Sequence, residues 1–127
     1  IRDCIRLIDS AGKTHQHINS FENDQAEELR IALAGAEEKT FRLASRLDNG
    51  PQADELPALL TDVLRLRLAG GELTLRAANA AMLHQGARGY LRTATAQRRL
   101  REAYFVAIVT PSLKHLRREI ARRQNNS

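Results

Sequence analysis

Tryptophan is absent from this 127-residue chain, and aromatic residues of any kind make up only 4% of it. A core built here must come from leucine, isoleucine and alanine rather than from large rings. There is one methionine, Met82, and one cysteine, Cys4. A lone cysteine excludes an internal disulfide and fits a reducing cytosol, so a cytoplasmic protein is expected, with Cys4 a small buried hydrophobe. No apolar run approaches the roughly 18 residues of a membrane span, and the longest, residues 103–109, reads as core. The first residue is Ile1 rather than methionine, which leaves room for residues upstream, a removed signal segment among them. Lysine is scarce too, since Lys13, Lys39 and Lys114 are the only ones. Arginine carries the positive charge; it suits bidentate capture of phosphate or carboxylate, although GC-rich coding yields the same bias.

What is present is charge, unevenly placed. Residues 1–63 hold 7 Lys+Arg against 12 Asp+Glu, net −5, while residues 64–127 hold 13 against 3, net +10. An acidic half joined to a basic half either neutralises itself by packing one against the other or leaves the basic face for an anionic partner.

Apolar periodicity is helical almost throughout. Ile1, Cys4, Ile5, Ile8, Ala11, His15 and Ile18 recur at three- and four-residue steps and predict one face of a first helix. Asp24 followed by Glu27 has capping-box spacing, so a second helix is expected from there, with the stripe Leu29, Leu33, Ala36, Leu43 and Leu47 and with Phe41 at its edge. Asp48-Asn49-Gly50-Pro51 is the strongest breaker and predicts a reversal near Gly50. Pro57 suits a first helical turn, ahead of an apolar face of Leu56, Leu59, Leu60, Val63, Leu64 and Leu68 that reaches Gly70-Gly71. Residues 64–75 also alternate with period two, as a β-hairpin would, but the helical pattern covers more positions. From Glu72 onward Leu73, Ala77, Ala80, Leu83 and Ala87 describe a face of small residues suited to close helix packing, interrupted at Gly86 and Gly89. Leu91, Ala94, Leu100, Tyr104 and Ile108 resume the pattern. Thr110-Pro111 then reads as cap and first turn of a last helix whose Leu113, Leu116 and Ile120 face inward.

No motif carries chemistry. Ala11-Gly12-Lys13-Thr14 resembles the end of a phosphate loop, but Leu7 stands where that loop needs glycine. Gly86-Ala87-Arg88-Gly89 has the form of a backbone-clamping loop and is better read as a helix break. His15 and His17 cannot share a helix face, and His84 and His115 are isolated, so no metal set is expected, nor any catalytic group or cofactor. The basic stretches are the strongest signal. Arg98, Arg99 and Arg101 crowd one helix, and Lys114, Arg117, Arg118, Arg122 and Arg123 cover the outer side of the last, with Lys114, Arg118 and Arg122 in a row at four-residue steps. Tyr104 and Phe105 read as core, which leaves no rings for stacking bases.

The expectation is an all-α antiparallel bundle of four to five helices, one domain over residues 1–127 with an acidic arm (1–48) and a basic half (52–127). The long N-terminal helices carry more apolar face than a small domain covers, so a homodimer is expected, with Ile8, Ile18, Leu29, Leu33, Ala36, Leu43 and Leu47 at a protein interface. The function expected is a bacterial-type, non-enzymatic regulator, adaptor or chaperone-like protein that binds another protein through apolar helix faces. The alternative is a nucleic-acid-binding regulator using Arg98, Arg99, Arg101, Lys114, Arg117, Arg118 and Arg122.

Overall fold

The computed structural model of the chain describes residues 1–125. The order is α1 (Arg2–Asn19), α2 (Ala26–Asp48), α3 (Leu56–Gln85), a 3₁₀ segment (Gly86–Tyr90), α4 (Thr95–Ile108) and α5 (Leu113–Asn125), with no strand among the described residues. Residues 64–75 are therefore helical.

The 30-residue α3 is the spine, about 45 Å long at helical rise. The stripe pairs Arg2–Glu37 and Asp9–Arg30 show that α1 and α2 run antiparallel. Down α3, Leu33 shares a groove with Thr74 and Ala78, Leu43 shares another with Leu66, and Arg46 meets Asp62, so α2 and α3 are antiparallel as well. The reversal between them falls at Gly50, whose φ of 69° is the left-handed conformation that glycine adopts without steric cost. On the other side α4 covers the C-terminal half of α3 and α5 continues along its N-terminal half. Ala107, Leu113 and Leu116 form a cluster there with Leu64, Leu68 and Leu75.

Small residues close the main core. Ala77, Ala78, Ala80 and Ala81 of α3 cluster with Ala103 of α4, Cys4, Ile5 and Ile8 of α1, and Ala26 and Leu29 of α2. Alanine on both helices lets α3 and α4 approach closely, as the small-residue face predicts. Each alanine methyl contributes only about 0.8 kcal/mol on burial, against about 1.5–3 kcal/mol for leucine. Stability therefore leans on the large residues that are fully enclosed, Leu29, Leu59 and Leu116.

Several elements depart from expectation. The cap of α2 is Gln25 with Glu28, not Asp24 with Glu27. Gly70-Gly71 is no link, because α3 runs through it; Gly71 is buried, and a Cβ there would lie 2.5 Å from Leu113 Cδ2, so glycine admits the start of α5. The inward stripe of α1 ends at Ala11. His15 leaves helical geometry, Ile18 is exposed, and Asn19 is buried instead. Leu83 and Ala87 face out while Ala81 and His84 face in. Pro111 precedes α5 rather than opening it, and the Ser112 carbonyl accepts the first helical bond, from Leu116. Residues 103–109 are not core. Only Ala103 and Ala107 are buried, and the larger side chains lie outside.

The turn between α1 and α2 is fastened to the end of α3 by polar groups. Asn19 Nδ2 donates to the His84 carbonyl (3.1 Å), and His84 Nε2 donates to the Asp24 carbonyl (2.8 Å). Gln25 Nε2 donates to the carbonyls of Asn19 and Glu22, and Arg76 pairs with Asp24 at 2.6 Å. These bonds satisfy loop carbonyls that would otherwise be stranded beside the core.

Candidate interaction surface

α4 is amphipathic in an inverted sense. Ala96, Ala103 and Ala107 are buried and Leu100 is half-buried, which defines the inner side. Arg98, Arg101, Tyr104, Phe105 and Ile108 follow one another at steps of three, three, one and three residues, which places them together on the outer side. Tyr104 is 50% exposed, Phe105 64% and Ile108 69%. Every other ring, Phe21, Phe41 and Tyr90, is exposed too. Apolar side chains scattered singly need no explanation, but three in succession on one helix face form a patch of the kind that marks contact with another molecule.

Beside this face, Val106 edges a groove of about 540 Å³ with an apolar floor of Ile1, Cys4, Leu33, Ala78 and Ala103. Its rim is charged and internally paired. Arg99 bridges Asp3 of α1 and Glu102 of its own helix. The Arg99 guanidinium holds the Asp3 carboxyl below the usual carboxylate range, and burial pushes the Cys4 thiol up. A protonated, enclosed thiol is a poor nucleophile.

The sequence-derived basic residues divide into engaged and unengaged groups. Arg99 is committed to Asp3 and Glu102, Arg117 to Glu72 at 2.8 Å, Arg122 to Glu119 at 3.0 Å, and Arg98 loosely to Glu102 at 3.8 Å. Arg101, Lys114 and Arg118 have no acidic partner among the described residues. Two long-range pairs, Asp3–Arg99 and Asp24–Arg76, tie the acidic half to the basic one beyond the junction at residues 62–65, so the halves neutralise each other only in part.

The apolar interface expected on α1 and α2 is dispersed. Ile8, Leu29 and Leu43 are enclosed within the chain, Leu33 and Ala36 are half-buried, and only Ile18 and Leu47 are exposed. Ile18 lies at the end of α1, next to the start of α2, and Leu47 at the end of α2, so about 30 Å of helix separates them. The stripe serves the chain's own core because α3 is long enough to cover both N-terminal helices. The face on α4 escaped sequence reading because an unbroken apolar run has no period. The signal that finds it is the row of small residues Ala96, Ala103 and Ala107, which marks the opposite side of α4 as the buried one.

Among the described residues no three His, Cys, Asp or Glu side chains gather in a way that could hold a metal ion, and no helix is long and apolar enough to cross a membrane. Comparison of the chain with models of known protein families, with curated proteins and with solved structures finds no match.

Proposed function

We propose that the chain is a non-enzymatic adaptor or chaperone-like protein that holds an acidic amphipathic segment of another protein against the outer face of α4. The observation that carries the reading is Tyr104, Phe105 and Ile108 standing in solvent on a helix whose other side is closed against α3. Tyrosine, phenylalanine and arginine are among the side chains enriched at protein interfaces, and lysine and glutamate among those depleted. Charge selects the occupant. Arg101 lies on this face and Lys114 and Arg118 follow beyond the end of α4, all without acids of their own. A helix with apolar anchors at i, i+3, i+4 and i+7 and carboxylates on its flanks matches both features.

A second reading, a nucleic-acid-binding regulator, has an observation in its favour. Tyr104 and Phe105 are exposed next to Arg98 and Arg101, which offers rings for base stacking beside cations for phosphate. One experiment separates the readings. Titrate the chain with a synthetic helical peptide that carries leucines at these spacings and glutamates elsewhere, with a twin in which lysines replace the glutamates, and with a single-stranded oligonucleotide. We expect the glutamate peptide to bind at about 10 µM or tighter. The lysine twin should not bind, and Tyr104→Ser with Phe105→Ser should weaken binding at least tenfold without changing the helical circular dichroism. Equal binding by the double variant overturns the proposal. So does a salt-sensitive oligonucleotide complex that forms in preference to the peptide complex, or a concentration-dependent dimer abolished by the same two substitutions.

A further inference from the structure

A cleft of about 380 Å³ lies between α2 and α3, near the turn that joins them and independent of the α4 face. Its floor is apolar, made by Leu43 and Leu66, with Ala69 at one end. Ala69 contributes only a methyl group to the lining.

The walls are cationic. Lys39, Arg42 and Arg46 come from α2 and Arg65 from α3. Against these four positive charges stand two carboxylates. Glu38 pairs with Arg42, and Asp62 is shared between Arg65 at 3.5 Å and Arg46 at 4.0 Å, contacts too long to be strong hydrogen bonds. Lys39 has no acidic partner among the described residues. The region therefore keeps a positive excess of two around an apolar surface. A cleft lined by one sign of charge concentrates that field, and the low-polarity floor strengthens it.

Three of its four cations, Lys39, Arg42 and Arg46, lie in the half whose net charge is negative, which is why average charge hides them. Residues 39, 42, 43 and 46 step by three, one and three and so share a face of α2, with the nearest acid, Glu38, at its edge and paired with Arg42. Sorted by face rather than by segment, the acidic helix has a basic side.

We infer that this cleft binds a small organic anion, one phosphate or carboxylate head on an apolar body. The body lies on Leu43 and Leu66, and the head sits between Lys39 and Arg65, where it supplies the charge that Asp62 only half provides. The volume is within the usual range of small-molecule sites, and the pairing of apolar lining with a few convergent polar groups is their ordinary construction.

Calorimetric titration of the full chain tests this with four probes. Adenosine monophosphate carries the anion on a ring, decanoate carries it on a chain, inorganic phosphate is the head alone, and adenosine is an uncharged body. We expect one or both organic anions to bind at about 100 µM or tighter, inorganic phosphate at least tenfold more weakly, and adenosine not measurably. Lys39→Glu with Arg65→Glu should abolish the binding. Lys39→Arg should retain it. Ala69→Leu, which leaves every charge in place, should weaken it at least fivefold by occupying the cleft. Absence of binding by both organic anions overturns the inference, as does phosphate binding equal to theirs. Unaltered affinity in the charge-reversed or the Ala69→Leu chain, each retaining parental helical circular dichroism, overturns it as well.

Discussion

Gly70 and Gly71 are neighbours with opposite surroundings, and they show what single positions in this fold tolerate. Both lie inside α3, where glycine is less favourable than alanine by about 1 kcal/mol. At Gly70 nothing stands in the way of a methyl group, so Gly70→Ala should raise unfolding free energy by about 0.5–1 kcal/mol. At Gly71 the same methyl group meets the end of the Leu113 side chain, itself buried beside Leu116 and Ala107, and that side chain must shift to admit it. Overpacking of this kind costs about 1–3 kcal/mol, so Gly71→Ala should be destabilising despite the better helix former. Urea denaturation of the two variants beside the parent measures both; a gain in stability at Gly71 equal to that at Gly70 would contradict the close approach of α5. Sequence alone reads this dipeptide as a break, because the reason for its second glycine lies about 40 residues away. Cys4 was legible as a buried hydrophobe, whereas His84 was not legible as the donor that fastens the α1–α2 turn, since its partner is a backbone carbonyl.

Helices were legible where apolar residues recur against a polar background, as in α2, and ambiguous where they do not. In α4 the run from 103 to 109 names no inward side; in the fold Ala103 packs with the alanines of α3 and Ala107 with Leu113 and Leu116. The ion pair that orients α4 was equally hidden, for Arg99 lies 96 positions from Asp3. That pair makes the α1–α4 contact sensitive to acid. Because Arg99 depresses the Asp3 pKa in the folded chain, the pair contributes stability above the unfolded carboxylate pKa, near 4, and loses it as pH falls through the lower folded value. Asp3→Asn should therefore be less stable than the parent at pH 7, and the gap should close progressively below about pH 4. Urea midpoints taken from pH 7 to pH 2 check the sign. A gap that widens in acid would mean that Arg99 is not the group holding the Asp3 charge.

At the scale of the whole chain, the opposition between a negative and a positive half was visible in composition, but its resolution was not. Most ion pairs are formed within a half, several of them within a helix turn, so they are worth little each and leave the large excess on residues 64–127 uncovered. That excess should steer an acidic partner during approach. Association of the glutamate-bearing peptide is expected to slow at least tenfold between about 50 and 500 mM salt, with dissociation changed much less. Stopped-flow measurement of both rates decides it, and an on-rate indifferent to salt would remove charge from the recognition step.

With no indole anywhere and all five rings turned outward, the protein is optically quiet about its own folding. Near-ultraviolet dichroism and tyrosine emission will hardly distinguish the native chain from a loosened one. The same arrangement places Tyr104 as a built-in reporter: an otherwise silent spectrum should change when something settles over that ring.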